Sequence, residues 1–264
     1  MRIAFRIFRI ITLLSIFVFL AFYAKTQKLK STSWSQPLQV VIYPMNGDGS
    51  PVVEEYINQL EESVFSEIDQ FFQNEARAFE LSIEHPITTA LGQVMLKHPP
   101  VSPAPGSSFA EIAWWGVKFR YWAFRHTPDD QSNLHRIRVF VHYHKDEKDK
   151  LLQHSLGLDK GLLAIVHAFA STDQQAQNNI IIAHELLHTV GATDKYNMNN
   201  QPVYPDGYAE PEQTPLFPQT LAEIMSAKIA LSSTHSEMAE NLDQCIIGEK
   251  TATEINWIQV ESNT

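Results

Sequence analysis

The chain predicts an α+β domain behind an apolar N-terminal helix, and three observations carry that reading. Apolar, β-branched or alternating runs at 38–43 (LQVVIY), 137–143 (IRVFVHY) and 162–170 (LLAIVHAFA) have the composition of strands. Segments 52–79 and 109–124 place apolar residues at three- and four-residue steps, the period of a helix. A third apolar helix, 180–190, follows the last of these strands and carries two histidines one turn apart.

The N-terminus is considered separately because it need not belong to the fold. Residues Ile10 to Ala24 are uncharged, with Arg2, Arg6 and Arg9 before them and Lys25, Lys28 and Lys30 after. Residues 1–30 are therefore expected to be a membrane anchor and linker, with a cleaved signal peptide as the rival. Residues 3–24 would contact the membrane, the arginines snorkelling to its surface. Residues 31–264 would form an extracytoplasmic domain, secreted if the segment is cleaved.

The strand at 38–43 ends at Pro44 before the turn signal MNGDGSP. In 52–79 the apolar residues Val53, Ile57, Leu60, Val64, Ile68, Phe71 and Phe72 mark one helical face, and Glu54, Glu55, Glu61, Glu62 and Glu67 read as its solvated side. The segment 99–108 (PPVSPAPGSS) is too rich in proline for regular structure. In the aromatic helix 109–124, Trp114, Trp115 and Trp122 are expected mainly in the core. Segment 197–219 carries five prolines and must be largely irregular, which in a compact domain points to function. A last helix is expected over 251–258.

A formal charge of −10 argues against nucleic acid as a partner, because phosphate contacts require clustered Lys and Arg. Cys245 is the only cysteine, which excludes an internal disulfide and a thiolate-rich metal site.

The chemistry concentrates in 180–196, IIIAHELLHTVGATDKY. On a helix, His184 and His188 project from the same face, a spacing that lets both imidazoles reach one zinc ion. Glu185 stands beside the first histidine, where it can meet a water at the metal without being a ligand. HExxH alone arises by chance in roughly a few per cent of chains of this composition. Gly191 and Asp194 make coincidence far rarer. The glycine can end the helix in a left-handed conformation, after which the Asp194 carboxylate can turn back to the metal.

HELLHTVGATD (184–194) resembles the extended motif HExxHxxGxx(H/D) of the metzincin-like metallopeptidases, and its closing aspartate is similar to that of the snapalysins. Met225, in LAEIMSAKI, resembles the methionine of that family's Met-turn. The resemblance implies a zincin-like domain with a mixed twisted sheet and an active-site helix. It implies one Zn2+ per chain on His184, His188 and Asp194, with Glu185 as general base, and a peptide or protein substrate. It further implies that the strand 162–170 is the sheet edge that binds an extended peptide, and that the proline-rich segment walls the pocket. Glu210, Glu212 and Glu223 stand as alternative third ligands, though the prolines disfavour a helix around the first two. Tyr196, Tyr204 and Tyr208 are the candidate oxyanion donors. His142 and His144 share one face of their strand, but no third ligand adjoins them in the sequence. The expected function is a membrane-anchored zinc peptidase. The alternative is a catalytically idle zinc-containing binding or assembly domain at the membrane surface.

Overall fold

The computed structural model describes residues 2–104, 106–127, 136–147, 152–158 and 161–258. Its elements are α1 (Arg2–Ser31), β1 (Leu38–Asn46), α2 (Pro51–Asn58), α3 (Ser66–Ala78), β2 (Ile87–Leu91), α4 (Phe109–His126), β3 (Arg136–His144), β4 (Leu156–Leu158), β5 (Leu163–Phe169), α5 (Gln175–Val190), β6 (Ala222–Glu223), β7 (Lys228–Ala230), β8 (Ser236–Met238), β9 (Cys245–Ile246) and α6 (Glu249–Glu254).

The main sheet has the order β2-β1-β3-β5-β4, all neighbours parallel except the antiparallel edge pair β4–β5. Alternation along the strands supplies two cores. Val40, Ile42, Val139, Val141, Ala164 and Val166 face α3 and α5, whereas Tyr43, Phe140, Leu163 and Ile165 face α4. A parallel sheet must be covered on both faces, and this one is. A second sheet, β8-β7-β6-β9, holds the C-terminal residues beside the first. A mixed sheet with helices fits the α+β class.

Several expectations change in detail. The helix expected over 52–79 is broken into α2, a 3-10 turn over Glu62–Phe65 and α3. Its acids are not all solvated: Glu62 accepts the backbone N–H of Leu91 at 3.2 Å and Asp69 that of Thr89 at 2.8 Å. These carboxylates satisfy donors on the exposed edge of β2. Trp115 and Trp122 are buried as expected, but Trp114 is 64% exposed. The last helix ends at Glu254, sooner than the sequence suggests.

Residues 2–31 are helical, but among the described residues no helix is long and apolar enough to cross a membrane. The expectation of a spanning anchor is therefore not supported. Only 15 uncharged residues separate Arg9 from Lys25, roughly 22 Å of helix against a hydrocarbon core of about 30 Å. Several side chains between residues 3 and 24 lie outside the described set.

Candidate metal centre

The helix α5 is fixed by its own apolar side chains: Ile180, Ile182, Leu186 and Leu187 are fully buried, each contributing about 1.5–3 kcal/mol. At its start, Asn178 clamps both backbone groups of Phe169, and Asn179 donates to the Val64 carbonyl and to Glu67. At its end, Gly191 takes the left-handed conformation (φ 114°), and Ala192 N–H returns to the Leu187 carbonyl. A side chain at Gly191 would strain that turn, so the glycine read from the sequence serves the reversal expected of it.

The reversal brings three donor atoms together. His184 Nε2 and His188 Nε2 lie 3.1 Å apart, and Asp194 Oδ1 lies 3.1 Å from the first and 3.0 Å from the second. The other ring nitrogens fix the tautomers. His184 Nδ1 contacts the Ile224 carbonyl at 3.0 Å and His188 Nδ1 the Ala192 carbonyl at 2.8 Å. A carbonyl only accepts, so each Nδ1 must donate, and each neutral ring turns its Nε2 lone pair into the cluster. Two lone pairs and a carboxylate oxygen at 3 Å repel one another unless a cation sits among them. Tetrahedral bonds of about 2.1 Å put ligand atoms about 3.4 Å apart, which these side chains reach by opening slightly. The residues present fit a metal ion.

Glu185 completes the group: its ligand atom lies within 4.8 Å of those of His184 and His188, and no other His, Cys, Asp or Glu group of the described residues is so arranged. Glu185 is 3% exposed, and its Oε2 is buried with no hydrogen-bond partner among the described residues. Burial pushes its carboxyl up, with the two histidines opposing. For Asp194, burial acts upward, but in the absence of a metal His184 and His188 hydrogen-bond to it when their Nε2 atoms take up protons, and this outweighs burial and holds the carboxyl well below the usual range. For His184, burial disfavours the charged ring, yet the Asp194 hydrogen bond and the charge of Glu185 prevail and raise its pKa.

Met225 is fully buried in the turn joining β6 to β7. Its carbonyl accepts from Lys195 N–H at 3.1 Å, while the preceding carbonyl orients His184. Glu223 is not a ligand. Its carboxylate is buried and accepts Met225 N–H at 2.6 Å, the Thr251 hydroxyl at 2.6 Å and Gly248 N–H. Glu210 is equally occupied, capping Thr220 through both N–H and hydroxyl at 2.8 Å. Of the three tyrosines, Tyr196 alone lies at the site, with its ring 6.3 Å from that of His184. Tyr208 packs instead on Tyr204 and Phe217.

Two positional expectations are corrected. The strand at 162–170 is not the sheet edge: β5 lies between β3 and β4, and β4 is the edge. Three residues are too few for a periodic signal. A Cβ on Gly157, at the centre of β4, would meet the Glu185 carbonyl at 2.4 Å and His188 Cβ at 2.5 Å, so only glycine lets this edge lie against α5. Of the proline-rich segment 197–219, Asn200 lines the site but none of the prolines does. A cavity of about 280 Å³ beside Glu185 is bounded by residues 226–228, Met238, Asn200 and the approach to β4, while Pro205 and Pro211 line a separate cavity with Glu75 and Phe79.

Glu254 was not visible as a site residue. Its carboxylate accepts Thr193 N–H and the Lys195 ammonium, each at 2.8 Å, and the Thr193 hydroxyl at 2.9 Å, gripping both neighbours of Asp194. His142 and His144 join His98 and His167 in a second histidine group, with His144 Nε2 3.0 Å from His167 Nδ1. Burial and the neighbouring rings push His142 down to about 3 and His167 to about 4, so both are neutral near pH 7. No protein-family model matches the chain, and no curated protein is significantly similar to it.

Proposed function

We propose that the chain is a zinc-dependent peptidase of metzincin-like type, with His184, His188 and Asp194 as ligands and Glu185 as general base. The observation that carries this reading is the convergence of two Nε2 lone pairs and a carboxylate oxygen beside the unpartnered Oε2 of Glu185. Three nitrogen and oxygen ligands suit zinc and leave a fourth position open, as in catalytic sites. When bound, the zinc ion supplies Lewis acidity toward a peptide carbonyl and lowers the pKa of an adjacent water.

The chain's own groups do the rest. Glu185, its carboxyl raised by burial, takes the proton of the attacking water and returns it to the leaving amine. Burial and the Asp194 charge push the Tyr196 phenol far up, so it stays protonated and can donate to the carbonyl oxygen as charge develops there. The outer edge of β4 offers its backbone to an extended substrate by strand addition. A site with only a structural role has no use for a buried carboxylate in that position. Attachment to a membrane surface belongs to the proposal, supported by an exposed apolar α1 with only positive charges.

The test is zinc content together with hydrolysis. We expect about one zinc per chain in the wild type, largely lost in His188→Ala, and peptide cleavage reduced roughly 10²–10⁴-fold in a zinc-replete Glu185→Gln variant. A folded protein that takes up no zinc on reconstitution would overturn the assignment. Equal cleavage by wild type and Glu185→Gln would leave a zinc-binding domain without this catalysis.

A further inference from the structure

We propose that the cavity beside Glu185 is a specificity subsite for a carboxylate, with Lys228 as its recognising cation, so that the substrates are peptides carrying an acidic residue or a free C-terminal carboxylate next to the scissile bond. The inference rests on the peptidase reading and names its substrate class.

The cavity holds about 280 Å³, room for a single side chain, and opens directly onto His184 and Glu185. Its walls come from two sides: Lys228 and Met238 from β7 and β8, and His154 and Ser155 from the approach to β4, with His167 of β5. Among the described lining residues Glu185 is the one carboxylate and Lys228 the one lysine or arginine, so an anion that enters the cavity finds its positive charge at Lys228.

Lys228 has the properties of a cation kept for a ligand. Its Nζ donates to the carbonyl of Asn200, another lining residue, at 2.9 Å, and the ammonium has two further N–H bonds to offer. Among the described residues it has no carboxylate partner, whereas Lys195, the residue after Asp194, is closed by Glu254 at 2.8 Å. Partial burial already disfavours its charge slightly, a cost that an incoming carboxylate removes. His167, also in the lining, is tied through Nδ1 to His144, while its Nε2 makes no hydrogen bond among the described residues. If His144 donates in that pair, His167 carries its proton on Nε2 and presents a neutral donor to the same carboxylate. An anion in the cavity can thus take charge from the lysine and a directed hydrogen bond from the histidine.

The experiment is a cleavage profile of a mixed peptide library, read by mass spectrometry, for zinc-replete wild type, Lys228→Met, Lys228→Glu and Glu185→Gln. We expect Asp, Glu or a C-terminal carboxylate at one position flanking the cut to be enriched about tenfold, with enrichment largely lost in Lys228→Met. Lys228→Glu should turn the preference toward Lys and Arg. Binding of the preferred peptide to the Glu185→Gln protein, measured by titration calorimetry, should weaken to the same extent when Lys228→Met is added. Cleavage that depends on Glu185 but shows no acidic preference would overturn the subsite and leave the peptidase intact. An acidic preference unchanged by Lys228→Met would also overturn it. Absence of any Glu185-dependent cleavage would remove the peptidase reading and the subsite together.

Discussion

Glu75 shows how much a single buried carboxylate can carry. It sits on α3, and its Oε2 accepts Ile247 N–H at 2.6 Å, one residue before the Gly248 N–H that meets Glu223. Burial pushes its pKa up from 4.5 to about 7, with the Ile247 hydrogen bond opposing and the nearby Glu223 adding to the rise. Between pH 4.5 and 7 the folded state therefore binds more protons than the unfolded one, and its stability must fall as pH rises through that window. We expect the urea midpoint to decline from pH 5 to pH 8 and Glu75→Gln to flatten the decline. Parallel slopes for the two proteins would place the titrating group elsewhere. Nothing near Glu75 in sequence announces this, because its partner lies 172 residues away. The residues that were legible are those whose partners are local. His188 is held by a carbonyl four residues on, and Asp194 meets the histidines across six and ten residues, distances that helix geometry and a glycine cap determine.

At the scale of elements, the site depends on three pieces that the motif does not contain. The β6–β7 turn fixes His184 through the Ile224 carbonyl, β4 presses Gly157 against α5, and α6 grips the Asp194 loop through Glu254. The helix α5 was readable from its apolar run, and so were β1, β3 and β5. The two- and three-residue strands were not, since so short a segment has no period and is defined only by what it pairs with. The six-residue α6 is too short to be stable alone and is held by contacts such as the Lys195–Glu254 ion pair, whose side chains are 5% and 17% exposed. Removing that charge leaves the buried Lys195 ammonium with only the Thr193 carbonyl and hydroxyl as partners and no counter-charge beside a proposed ligand. We expect Glu254→Gln to weaken zinc affinity about 10–100-fold in competition with a chelator, with a loss of about 3 kcal/mol or more in stability. The exposed Glu249→Gln, on the same helix, serves as the control and should change neither. Wild-type zinc affinity in Glu254→Gln would show that Asp194 is positioned without the clamp.

For the whole molecule, charge and apolar surface are segregated along the chain. Its first 30 residues carry +6 and no acid, and since the total is −10 the remainder carries −16. On α1, Phe5, Phe8, Ile10, Leu14, Val18 and Phe22 are all more than half exposed. A helix with this much bare apolar surface and only positive charge matches an anionic lipid surface, even though its uncharged stretch is too short to span. The strongly acidic remainder would be repelled from the same surface, so attachment should run through α1 alone. One competing feature exists: α4 exposes Phe109, Trp114, Tyr121 and Phe124, an aromatic face of the kind that settles at lipid interfaces. Flotation with vesicles separates the two. We expect the full chain to float with vesicles containing phosphatidylserine, to do so less as salt is raised, and to lose most of that binding in an Ile10→Glu, Leu14→Glu, Phe22→Glu variant. Substituting Trp114 and Phe124 by Glu should leave binding nearly unchanged if α1 is the attachment. Loss of flotation from the α4 substitutions instead would move the membrane contact to the aromatic helix, and flotation of neither protein would remove the membrane from the proposal.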